Sequence, residues 1–146
     1  MKKHIATFCI IFWAGLIAGI SFLEAPLKFQ APGITIPLGL GIGQLVFQAL
    51  NKIELVLMFV IAFCMYSTKL SFKTDFLYLL ITLLLIDTFW LLPVLDERAK
   101  LVLSGKFIAK SYHHIIYIIV EVIKFSTLIT LGCLGLKDLN HEKRYS

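Results

Sequence analysis

Four apolar runs, each close to the length needed to cross a bilayer, leave this chain fewer folds than any other feature of its sequence. The first is Ile5 to Leu23, preceded by Lys2-Lys3 and 19 residues long; spanning the hydrocarbon takes about 20 residues. A secretory leader also starts with basic residues, but its apolar centre is about 7–15 residues long and ends in a small-x-small cleavage site. Ser21-Phe22-Leu23-Glu24-Ala25-Pro26 offers no such site, so a retained helix is expected. The spans are expected at about 5–24, 46–67, 76–95 and 112–136, in a single membrane domain with a polar tail at 137–146. The expected fold is all-α: an integral membrane bundle of four transmembrane helices. Composition agrees, with 59% hydrophobic and 16% charged residues against about 45–50% and 25% in soluble domains. Mean hydropathy is +0.89.

Between the first two spans, about 26–45, the sequence changes character. Pro26, Pro32 and Pro37 oppose a continuous helix. The pattern after Pro37 is amphipathic, which predicts an interfacial segment merging into span two. Polar loops are expected at Ser67–Asp75 and Asp96–Ser111. Small residues repeat at four-residue spacing in Ala14/Ala18, Gly15/Gly19 and Gly39/Gly43. Such spacing lets helices approach closely, and the first two pairs are expected to be packing positions.

Four spans place both termini on one membrane side, A. Side A carries seven basic residues and side B five, or six with Lys52. Short loops rich in Lys and Arg stay in the cytoplasm, so cytoplasmic termini are expected, in a cell or inner membrane. The net charge of +5 comes from residues flanking apolar runs, which argues against nucleic-acid binding. Cys9, Cys64 and Cys133 are odd in number and embedded in apolar runs; they are expected to be free thiols.

Ionisable groups inside a span are costly and mark a site or a buried pair. On span four, His114, Tyr117, Glu121 and Lys124 fall within an arc of roughly 80° at 100° per residue. Gln44, Gln48, Asn51, Glu54 and Met58 form a second stripe on the way into span two, within roughly 120°. Span three adds Asp87 beside Thr88, and span one ends in Glu24 with Lys28 beyond. If span three ends near Leu95, Asp87 lies about 12 Å inside side B, at a depth matching Glu121. The candidates for binding an ion or polar solute are Glu24, Gln48, Asn51, Glu54, Asp87, His114, Tyr117, Glu121 and Lys124.

Familiar catalytic signatures are missing: there is no G-x-S-x-G, H-E-x-x-H, P-loop or G-x-G-x-x-G. His114 with Glu121 could serve a metal, but the Glu-x-x-His spacing of di-metal bundles is absent. Haem would need a second axial histidine on side B, and His4 lies on side A. No catalytic residue, metal or cofactor is therefore expected.

The layout resembles a group of small four-span membrane proteins, the transmembrane-protein-205-like family. The resemblance rests on Ala25-Pro26 with Phe29, the amphipathic lead-in to span two, Leu91-Leu92-Pro93 before an acidic-basic loop, and His113-His114 opening span four. It covers most of the chain and implies the four-helix architecture without enzyme activity, but no substrate. The Asn51-Lys52-Ile53-Glu54 stretch and the Glu121/Lys124 pair lie outside it. The function expected first is a non-enzymatic membrane protein whose side-B polar pocket transports or binds a small ion or polar solute. A bundle this small encloses a pore poorly, so a homo-oligomer or a membrane partner is expected beside the lipid. The alternatives are a scaffold whose intramembrane polar residues only join helices, and a membrane enzyme or cofactor binder using Asp87, His114 and Glu121.

Overall fold

The computed structural model describes residues 1–66, 74–106 and 111–145. Four helical rods carry the chain: α1 Lys2–Gln30, α2 Ile36–Tyr66 and α3 Thr74–Leu103, then α4 His113–Tyr145. All four are long and apolar enough to cross a membrane. At 1.5 Å per residue a rod of 30 residues runs about 45 Å, longer than the roughly 30 Å of hydrocarbon. Large apolar side chains such as Phe8, Phe59, Phe63 and Phe89 are exposed, as a lipid-facing exterior requires. Two parts of the expected loops, Ser67–Lys73 and Phe107–Lys110, lie outside the described residues.

The prolines act differently from the expectation for 26–45, because none of the three interrupts a helix interior. Pro26 is absorbed into α1, and Pro37 sits in the first turn of α2, where its missing N–H has no intrahelical partner to lose. Thr35 starts α2 by accepting the Leu38 N–H on its Oγ1 at 3.3 Å. The break is confined to residues 31–35. There Ile34 N–H donates to the Ala31 carbonyl at 3.2 Å, with Pro32 and Gly33 between them. Gly33 has φ +80°, so the turn has the residue pattern of type II, proline then glycine. Residues 36–45 thus merge into span two as its opening turns.

Pro93 is accommodated in the same way. Span three was expected to end near Leu95, yet α3 continues to Leu103, through the first part of the expected Asp96–Ser111 loop. The two helices with a proline beyond their first turn contain a widened π-helical stretch, at Ala18–Glu24 in α1 and Asp87–Leu91 in α3. Each stretch ends two residues before its proline. The Ala25 N–H reaches back to the Ile20 carbonyl and the Leu92 N–H to the Asp87 carbonyl, five residues in each case. A proline ring collides with the carbonyl four residues earlier, and the wider turn makes room for it without ending the helix.

The interior centres on Trp13 and Ile17 of α1, Ile61 of α2, Leu80 and Leu84 of α3, and Leu128 and Leu131 of α4. A smaller cluster gathers Leu83, Leu91 and Leu92 around Tyr117 and Val120. Of the expected packing positions, Ala14 is buried, Ala18 is half-buried, and Gly15 and Gly19 border open space. The Gly15/Gly19 expectation is therefore corrected: that track faces outward. Close approach is made instead by Gly132 and Gly135 of α4 against α1. A Cβ on Gly135 would stand 2.6 Å from Thr7 Oγ1, 3.0 Å from Thr7 Cγ2 and 3.3 Å from Thr7 Cβ, so rotating Thr7 cannot clear it. Gly135→Leu is expected to lower the stability of the purified protein by about 1–3 kcal/mol, while Gly15→Ala leaves it nearly unchanged. Thermal unfolding of the two variants in one detergent checks the contrast.

Candidate functional site: a lysine held by three carboxylates

Four ionisable side chains from three helices meet at the centre of the bundle. Lys124 is 0% exposed, Asp87 and Glu121 1%, and Glu54 2%. The Lys124 ammonium lies 2.7 Å from Asp87 Oδ2, 2.5 Å from Glu121 Oε1, and 3.0 and 3.1 Å from the two oxygens of Glu54. Carboxylate oxygens of the three acids lie within 4.8 Å of one another, close enough to share one cation. The ammonium occupies that place.

Helix α1 completes the cluster with two neutral donors. Trp13 Nε1 donates to Glu54 Oε1 at 2.7 Å, and Ser21 Oγ donates to Glu121 Oε2 at 2.6 Å. Neither residue stands out in the sequence as a site residue. The signal for Trp13 is that an indole N–H buried in a membrane helix needs an acceptor; no comparable signal marks Ser21. Both Ser21 and Asp87 belong to the π-helical stretches.

Three carboxylates face a single ammonium among the described residues. With every group ionised, the cluster would hold two negative charges in excess in an apolar interior, where unpaired charge is expensive. Asp87 sharpens this imbalance: among the described residues no donor reaches its Oδ1, and its carboxyl lies against that of Glu121. A proton on Asp87 or a neighbour, or a further cation, answers the excess; hydrophobic packing cannot.

Tyr117 stays with this centre through a hydrogen bond with Ser21; the other sequence candidates separate from it. Asn51 Nδ2 donates to Thr88 Oγ1 at 3.0 Å, and the Thr88 hydroxyl donates to the Leu84 carbonyl at 2.7 Å. Gln48 Nε2 donates to Asp96 Oδ2 at 2.5 Å. Glu24 pairs with Lys28 at 3.3 Å. These contacts tie α2 to α3 and close the end of α1 without joining the charged centre. His114 is exposed and, with Tyr117, lines a cavity between the cluster and the side-B ends of the helices. His113 sits at the start of α4, where Ser111 Oγ accepts its backbone N–H at 3.2 Å.

That cavity has a volume of about 690 Å³. Ser21 and Glu121 form its inner end, so one carboxylate of the cluster is also a cavity wall. Along the rods, Asp87 lies 16 residues before the end of α3 and Glu121 eight residues after the start of α4. The convergence of the polar stripes holds, while Asp87 and Glu121 stand at unequal distances from the side-B ends of their helices.

Removing the ammonium should be more damaging than removing one carboxylate. Lys124→Met is expected to cost about 3–5 kcal/mol, the usual result of stripping one partner from a buried ion pair. Adding Glu54→Gln and Asp87→Asn to it should restore part of the loss. The check is thermal unfolding of the single and triple variants in detergent. Compared with protein-family models, curated proteins and solved structures, the chain matches none, and its function has to be read from this geometry.

Proposed function

We propose that this polytopic membrane protein binds a small cation, a proton before all others, at the Glu54–Asp87–Glu121–Lys124 centre and exchanges it through the side-B cavity. One observation carries the reading: three fully buried carboxylates surround one ammonium, and among the described residues no donor reaches Asp87 Oδ1. A cluster meant only to join helices would be cheaper with one carboxylate per lysine, since each added buried charge brings its own desolvation penalty. Glu121 supports the route, because it touches Lys124 at one end and lines the cavity at the other. The resemblance to the transmembrane-protein-205-like group agrees with the four-helix layout and supplies no ligand.

The test is proton flux in vesicles. Protein reconstituted into liposomes containing a trapped pH-sensitive dye, under an imposed potassium-diffusion potential, should move protons faster than empty liposomes. Asp87→Asn and Glu121→Gln should cut the flux at least tenfold, and Gly15→Ala, outside the centre, should not. Flux no greater than that of empty liposomes from folded wild type, with the acid variants only less stable, would return the cluster to the scaffold reading.

A further inference from the structure

The cavity above the centre has its own chemistry. Its volume of about 690 Å³ falls within the range of about 300–1,000 Å³ that takes an organic molecule. Its walls are mostly apolar and include the rings of Phe22, Phe29, Phe47 and Tyr117. Phe47 and Tyr117 stand together with ring centres 5.3 Å apart. The inner end is the Ser21–Glu121 pair, joined to a centre with more acid than base.

An ammonium already occupies part of this space. Lys28 reaches in from the end of α1 and holds its Nζ 4.9 Å from the centre of the Phe47 ring and 5.8 Å from that of Phe29. Cations are attracted to aromatic faces at such distances. The helix opposite is cut back to admit it: a Cβ on Gly43 would lie 2.7 Å from that nitrogen. Gly39, one turn earlier, lies directly under the Phe29 ring. The Gly39/Gly43 spacing therefore admits an aromatic ring and a cation from the end of α1.

We infer that this cavity binds a lipophilic organic cation, with the charge directed at Glu121 and the apolar body against the aromatic walls, in competition with the Lys28 side chain. The inference rests on reading the cluster as an ion site, because Glu121 is the counter-charge. Lys28 is countered by Glu24 at 3.3 Å. Arg98 also lines the cavity, and it makes a lipophilic anion the rival ligand.

Two probes of the same shape and opposite charge decide between them. Tetraphenylphosphonium and tetraphenylborate are each equilibrated by dialysis against the purified full chain in dodecyl maltoside, with binding to empty micelles subtracted. The expected result is that wild type binds the phosphonium at least tenfold more tightly than the borate. Lys28→Met should tighten the phosphonium at least threefold, by removing its internal competitor, and Glu121→Gln should weaken it at least tenfold. The charge comparison on wild type needs no variant to fold. Equal affinity for the two probes, preference for the borate, or weaker phosphonium binding in Lys28→Met would each overturn the inference. Proton flux measured on the same wild-type preparation separates the two readings. Flux without phosphonium selectivity removes the cavity ligand alone, whereas loss of both removes the ion centre as well.

Discussion

Lys124 and its three carboxylates fix how the four helices face one another. Every helix contributes: Trp13 and Ser21 from α1, Glu54 from α2, Asp87 from α3, and Glu121 with Lys124 from α4. In lipid, apolar burial gives little preference for one rotation of a helix over another, since acyl chains are as apolar as leucine. A buried charge is far less permissive. Turning any one rod would strand an ion or a donor in hydrocarbon, so the polar centre sets the rotation of each helix and the apolar core fills in around it.

The same centre explains why two helices depart from regular α geometry. Pro26 and Pro93 each carry a π-helical stretch just before them, and those stretches hold Ser21 and Asp87. Each added residue in a turn shifts the register of everything before it on the helix face. The prolines therefore do more than kink: they bring one donor round to Glu121 and one acid round to the lysine. At the side-B end, glycines at 39 and 43 admit Phe29 and Lys28. These four residues line the same cavity as Ser21 and Glu121.

Much of this was legible in the chain. The four apolar runs, the stripe of Tyr117, Glu121 and Lys124, and the approach of Asp87 and Glu54 to it follow from hydropathy and a 100° rotation per residue. The partners of those side chains were not. Periodicity says which residues share a face and nothing about which face another helix presents, so Trp13 and Ser21 stayed hidden. The small-residue spacing misled for the same reason. Gly15 and Gly19 look like packing positions and border open space, whereas Gly132 and Gly135 carry the contact with α1.

The sequence by itself determined that this chain belongs in a bilayer, that it has four helices long enough to cross, and that ionisable residues lie within them. Those conclusions depend on transfer energies, which are summed residue by residue along the chain. Only the tertiary structure decided that three acids share one lysine, that α3 passes through Pro93, and that a cavity lined by Glu121 adjoins them. Each of these depends on distances between side chains far apart in sequence, and the pairing of buried charge is decided at a few ångströms.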